Sequence, residues 1–301
     1  MPSPDAMTVF DRRLVRMRRD RAAAGLANGD FLLREVGERL VDRLDDVKRR
    51  FPLALDLGCH TGAVGRSLGG RGGIETLVHA DLSPAMARLA PEPRLAADEE
   101  ALPFTDGAFD LVISNLSLHW VNDLPGALTQ IRRALKPDGL LLAAMLGGDT
   151  LVELRRALAE AEIAVEGGLS PRVSPFTGVR DAGSLLQRAG FALPVVDTET
   201  LTVVYRDPLR LFADLRAMGE ANAVIERRRG LTRRATVAEA AARYRQGFAD
   251  ADGRVPATFQ VIYLTAWAPH ESQPKPLRRG SARMPLAAAL DALSPTASRP
   301  E

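Results

Sequence analysis

The chain of 301 residues has a single cysteine, Cys59, which excludes a disulfide framework and any metal cluster built on several thiolates. It is poor in aromatics, at 5%, and has almost no net charge, since 40 Lys and Arg against 38 Asp and Glu leave +2. A polyanion-binding protein carries a larger basic excess, so no nucleic-acid partner is expected. It also lacks a long apolar run: Gly139 to Gly148 falls far short of the ~20 residues of a membrane span. The arginine-rich start, Arg12 to Arg21, is interspersed with Asp11 and Asp20 and has no apolar core, which argues for mature protein over a leader. A reducing compartment, the cytoplasm, follows from the cysteine usage.

What is present is a globular balance of 46% hydrophobic and 26% charged residues. Residues 1–50 repeat apolar positions every three to four residues, as helices do. From Phe51 the rhythm changes. Leu53 to Leu57, Thr76 to Ala80, Phe109 to Ser114 and Leu140 to Met145 read as short buried strands alternating with helical stretches. The helix from Asp123 to Leu135 is expected to stop at Lys136-Pro-Asp-Gly139. Asp181 to Ala189 reads as a helix, and Glu199 to Tyr205 and Thr258 to Trp267 alternate as strands. The expected fold is α/β: a doubly wound, mostly parallel seven-stranded sheet with N-terminal helices and a helical insertion, 208–249, before the last strand. One domain is expected over 51–268, with a loose tail over 269–301.

In such a sheet, ligands sit beyond the carboxyl ends of the strands. The first strand ends in Asp56-Leu-Gly58-Cys59-His60-Thr-Gly62, where glycines admit close backbone approach. A dinucleotide fingerprint needs glycine where His60 stands, and an acid such as Asp56 is a poor neighbour for a pyrophosphate. The acid suits a ligand that brings cations, and S-adenosylmethionine carries a sulfonium and an ammonium. Asp81, at the end of the second strand, stands where a carboxylate grips ribose hydroxyls, and Asp98 is placed to accept from an adenine amino group.

Asp56-Leu-Gly-Cys59, Ala80-Asp-Leu-Ser83, Leu102-Pro-Phe104, Phe109-Asp-Leu-Val112 and Leu135-Lys-Pro-Asp-Gly139 resemble the class I S-adenosylmethionine-dependent methyltransferase superfamily. His60 departs from its pattern. Closer resemblance is carried by Ala96 to Phe104, Asn115 to Pro125, Gly147 to Leu151, Ser174 to Thr177, Met218-Gly-Glu220, Val255 to Thr258 and His270 to Gln273. These are similar to the complex I assembly factor 5 family of arginine hydroxylases. A more distant likeness is to malonyl-acyl-carrier-protein methyltransferases. The resemblance implies S-adenosylmethionine as cofactor and modification of an arginine on the quinone-site subunit of respiratory complex I. It also implies a station at the inner membrane, on the matrix side in a eukaryotic source. Implied cofactor-binding residues are Asp56, Gly58, Cys59, His60, Gly62, Asp81, Leu82, Asp98, Glu99 and Asn115.

His119 and Trp120 follow the strand that carries Asn115, and either wall the acceptor or pack as an ordinary aromatic pair. Asp149 and Glu153 offer a bidentate clamp for a guanidinium, although Thr150-Leu-Val-Glu153 also reads as a helix capping box. Candidate catalytic residues are therefore His119, Trp120 and Asp149. A hydroxylase invites iron, but a facial triad needs two histidines and a carboxylate, and the four histidines (His60, His79, His119, His270) give no such set, so no metal is expected. The arginines from Arg227 to Arg245 read as a solvated face, or as a dock for an acidic partner or an anionic membrane surface. Two other functions share these features: a small-molecule or acyl-carrier methyltransferase, and an assembly chaperone without chemistry.

Overall fold

The computed structural model describes residues 8–274. Asp11 starts the first helix by accepting from the Leu14 amide at 3.0 Å, and α1 (Arg12–Ala22) and α2 (Phe31–Asp42) follow. In α2, Leu32, Leu33, Val36, Leu40 and Val41 are buried, which is the three-to-four spacing that seats a helix on a sheet. Then β1 (Leu53–Leu57), α3 (Ala63–Ser67), β2 (Thr76–Asp81), α4 (Pro84–Leu89), β3 (Arg94–Ala96) and β4 (Phe109–Asn115) alternate. After β4 come α5 (Leu124–Ala134), β5 (Leu135–Leu146), α6 (Val152–Glu166), α7 (Val179–Arg188), β6 (Ala192–Tyr205), α8 (Pro208–Ala217), α9 (Arg234–Phe248) and β7 (Val255–Trp267).

The seven strands form one sheet in the order β3-β2-β1-β4-β5-β7-β6, with β7 antiparallel to both neighbours. This is the expected doubly wound, mostly parallel fold. β1 is apolar along its length apart from Asp56 because both its faces are covered. One apolar core lies under α2, α6, α8 and α9, and the other under α5 and α7. Strand order reverses between β1 and β4, so the carboxyl ends of β1, β2 and β4 meet at the crevice where ligands of such sheets bind.

Two local expectations differ from the structure. Lys136-Pro-Asp-Gly139 does end α5, but the chain passes directly into β5 without a separate turn. Phe109 pairs with Leu135 and Leu111 with Leu140, so β4 advances two residues while β5 advances five, and Asp138 takes up the slack at φ +63°. Strand β3 lies at the sheet edge with only three residues, too short and too exposed to carry an apolar signature. The described residues 8–269 form one compact unit, and His270 begins a second, of which 270–274 are described. The tail expected over 269–301 therefore lies mostly outside the described residues.

Candidate functional site

The turn after β1 is shaped by its glycines. Gly58 has φ +71°, and a Cβ there would stand 2.2 Å from Ser117 Cβ, so no side chain is compatible with the turn. Gly62 has φ +78° and faces Pro91 Cδ at 2.7 Å in the same way. Between them His60 adopts φ +50°, the left-handed region that histidine tolerates better than most residues. Its amide donates to Asp81 Oδ2 at 2.9 Å, while Asp81 Oδ1 accepts from the Ser83 amide at 2.7 Å. The turn is thereby tied to the end of β2. Both His60 ring nitrogens are buried without a protein partner, and burial together with Arg19 keeps the ring below its ordinary pKa, hence neutral.

Acids and arginines interlock around this turn. Asp56, Asp81 and Glu99 are fully buried. His79 Nδ1 lies 3.0 Å from Asp56 Oδ2, leaving Oδ1 without a partner, and burial pushes this carboxyl upward. Arg19 of α1, itself fully buried, places Nη1 3.5 Å from both Asp81 Oδ2 and Glu99 Oε1 and donates from Nη2 to Ser117 Oγ at 3.0 Å. Arg12, two turns earlier on the same face of α1, donates to Asp98 Oδ1 at 2.6 Å and to Glu99 Oε2. Ser117 donates to Glu99 Oε1 at 2.5 Å. Burial alone would raise Glu99, but Arg12 and Arg19 overcome it and bring its carboxyl down to about 2. Asp98, by contrast, is 38% exposed at its side chain, so Glu99 is the deeper of the two acids.

His119 and Trp120 follow β4 in a short turn and are both buried. His119 Nε2 and Trp120 Nε1 both meet Glu220 Oε2, at 2.9 and 2.8 Å. Trp120 also stands edge-on to Phe10, with ring centroids 5.3 Å apart. Behind them opens a cavity of about 320 Å³, with walls from Trp120, Leu146, Leu151, Leu154, Phe176 and Met218 and with Glu220 in its lining. Glu220 stands out in the sequence only within the Met218-Gly-Glu220 stretch. Neither its role nor those of Arg12, Arg19 and Ser117 have a local sequence signal.

Other candidates are placed differently. Asn115 is buried, but its Nδ2 donates to the Leu33 carbonyl at 2.8 Å, toward α2. Leu82 packs with the Phe10 and Trp120 group. Cys59 is buried beside Asp56 and Asp81, and burial holds its thiol protonated. Asp149 is exposed, takes a hydrogen bond from Gln260 Nε2 at 3.0 Å, and is not part of the cavity wall. Glu153 is turned away from it, onto the Thr258 amide at 3.2 Å and the Thr258 hydroxyl. The two acids thus form no shared clamp. The capping-box reading also fails, because Leu151 precedes α6 at φ +55° and Thr150 Oγ1 bonds the Gln260 carbonyl at 3.1 Å.

Asp56, Cys59 and His79 bring one ligand-capable atom each within 4.8 Å of one another, a grouping the sequence spacing did not suggest. Of the basic run, Arg227 pairs with Asp11, Arg228 and Arg233 with Glu166, Arg243 with Glu239 and Glu160, and Arg245 with Asp207. No helix among the described residues is long and apolar enough to cross a membrane.

Residues 55–143 match the family described as a methyltransferase domain. Over 292 residues the chain is 46% identical to the arginine-hydroxylase NDUFAF5, mitochondrial, of Danio rerio, covering 95% of this chain and 90% of that one. It is 41% identical over 271 residues to the malonyl-[acyl-carrier protein] O-methyltransferase of Halorhodospira halophila, covering 87% and 90%. Among solved structures, phosphoethanolamine N-methyltransferase 2 of Haemonchus contortus, in complex with phosphomonomethylethanolamine and S-adenosylhomocysteine, superposes with a TM-score of 0.53. That likeness is at 16% identity and covers 85% of this chain and 60% of that one, and it concerns the fold.

Proposed function

The chain belongs to the class I S-adenosylmethionine-dependent methyltransferase family, at 46% identity to an arginine hydroxylase within it, and from that premise we propose that it binds S-adenosylmethionine and modifies an arginine of a protein. The client is a quinone-site subunit of respiratory complex I, acted on during assembly of that complex. One observation carries the cofactor reading. The buried acids Asp56, Asp81 and Glu99 converge on a glycine turn at the switch point of the sheet, a donor set suited to a ligand that brings cations and ribose hydroxyls. The unpartnered Asp56 Oδ1 and the side-chain-free approach at Gly58 fit such a group.

Asp56 and Gly58 would hold the methionine portion, Asp81 the ribose, and Asp98 with Glu99 the adenine side. Leu82 and Cys59 would line the approach. When bound, the cofactor supplies a methyl carbon on a sulfonium. The chain's own residues then orient the acceptor more than they activate it, since placement alone removes much of the barrier of an in-line displacement. Trp120 and Glu220 fix the His119 ring by the two hydrogen bonds to Glu220 Oε2. Helices α8 and α9, with the irregular stretch between them, contribute Phe212, Leu215, Met218 and Val237 to the cavity lining and would shield a bound acceptor from water. Asp149, exposed and bonded to Gln260, stands at the outer surface.

Mass spectrometry of the client subunit, from cells with and without this protein, tests the reading. Gain of one oxygen on an arginine supports hydroxylation and gain of one methylene supports methylation. An unmodified client held in a stable complex would instead support a chaperone. A calorimetric titration showing no S-adenosylmethionine uptake by the full chain would overturn the cofactor assignment.

A further inference from the structure

The cavity behind Trp120 is walled mainly by apolar side chains, yet it holds one buried carboxylate whose hydrogen bonding is half complete. Glu220 is 8% exposed at its side chain. Its Oε2 already takes two donors, from His119 at 2.9 Å and Trp120 at 2.8 Å, while its Oε1 has none. Burial pushes the carboxyl up, but His119, which hydrogen-bonds to it, and the charge of Arg19 outweigh that and keep it ionised. A buried ionised oxygen without a donor costs free energy unless something satisfies it. The other charges at the cavity are engaged or outside. Arg172 is bound to Glu162 at 2.8 Å, and Arg216 is exposed.

The chemistry that completes such a wall is an aliphatic stem ending in a cation. A guanidinium fits better than an ammonium because it is planar, forked and weakly hydrated, and so loses less on leaving water. A carboxylate head is repelled, which separates this cavity from one built for an acidic acyl chain. We infer that Glu220 is the receptor for the acceptor's guanidinium: the cavity takes an arginine side chain, with its methylenes against Trp120, Leu146 and Met218 and its head on the Glu220 carboxylate. This rests on the reading of the acceptor as an arginine, and it assigns the residue that selects it.

The test uses the full chain and simple probes. The Trp120 indole N–H, identified by its loss in Trp120→Phe, is followed by NMR during titration with butylguanidinium, butylurea and butyrate. Butylguanidinium should shift that resonance and bind at least about tenfold more tightly than the neutral butylurea, with butyrate weakest, as a charge-assisted contact requires. Glu220→Gln keeps an oxygen acceptor for both rings and should abolish the preference for guanidinium. Equal binding of butylguanidinium and butylurea by the wild type would overturn the inference without any variant. So would a Glu220→Gln protein, folded by its melting curve, that keeps the preference. The two readings separate cleanly. If butylguanidinium binds through Glu220 but no client arginine changes mass, the receptor stands and the arginine modification falls. If client arginine is modified equally in wild type and Glu220→Gln, the receptor falls and the modification stands.

Discussion

Replacing Arg19 by methionine isolates the electrostatic centre of the site. The methionine keeps most of the apolar stem and removes the charge. In the wild type Arg19 is fully buried, 3.5 Å from both Asp81 and Glu99 and 3.0 Å from Ser117. Deleting one partner of a buried ion pair leaves the other charge uncompensated, at a cost of about 3–5 kcal/mol. Two features place the expected loss at the lower end. Glu99 keeps Arg12, and Asp81 keeps the His60 and Ser83 amides at 2.9 and 2.7 Å. We therefore expect about 3 kcal/mol in urea unfolding, or roughly 5 °C in melting temperature, at ~2.1 cal/mol/K of unfolding entropy per residue over 301 residues. A second arm repeats both melts at one S-adenosylmethionine concentration, ~100 times the wild type's dissociation constant, where the wild type gains about 2.7 kcal/mol. If cofactor and Arg19 serve the same acids, the variant should gain at least as much at that same concentration. A loss below about 1 kcal/mol would refute the claim that Arg19 balances these acids. A variant that no longer takes up the cofactor at all would show that Arg19 assists its binding and does not stand in for its charge.

Two more outcomes follow from the same geometry. Gly58→Ala should destabilise the fold by about 2–4 kcal/mol and prevent cofactor uptake, because it adds a left-handed alanine and a Cβ 2.2 Å from Ser117 Cβ; unchanged urea midpoint and titration would contradict the packing described. Glu99, lowered from its ordinary 4.5 to about 2, contributes stability that is fully present above pH 4.5 and is lost as pH falls through about 2. Glu99→Gln should accordingly flatten the acid limb of the stability–pH curve between those values, which stepwise urea titrations from pH 5 to 2 would check.

Much of the fold was readable because its signals are local. β1, β2 and β4 are short apolar runs since both faces of a central parallel strand are buried, and Asp56 and Asp81 announce themselves as acids at the ends of such runs. Glycine at 58 and 62 likewise marks a turn wherever it is met. The unread part depends on distance in the chain. Arg19 meets Asp81 across 62 positions and His119 meets Glu220 across 101, so nothing beside either residue reveals the partner. In the sequence Arg12 and Arg19 are indistinguishable from the exposed arginines around them. Glu153 looked like a capping residue because it stands three positions after Thr150. Its carboxylate instead completes the amide and hydroxyl of Thr258, 105 positions away, and that pairing exists only once β7 has docked against β5.

The near-zero net charge takes on a physical meaning from these pairings. The acids that would receive a cationic ligand lie in a crevice where an unpaired carboxylate is costly, so in the ligand-free chain they need internal cations. Helix α1 supplies them from one side, Arg12 to Asp98 and Glu99, and Arg19 to Asp81 and Glu99. It is anchored there by more than charge, since Phe10 packs on Trp120 and the Phe10 and Val9 amides donate to Asn122 Oδ1 at 2.7 and 2.8 Å. Trp120 in turn binds Glu220. The chain of contacts therefore runs from the acids, through α1, to the wall of the cavity. Arg19 stands 3.5 Å from both Asp81 and Glu99, and its charge also favours the ionised form of Glu220. On the proposed assignment of acceptor and cofactor, α1 would therefore belong to the site itself, since Arg12 and Arg19 hold the acids of the crevice.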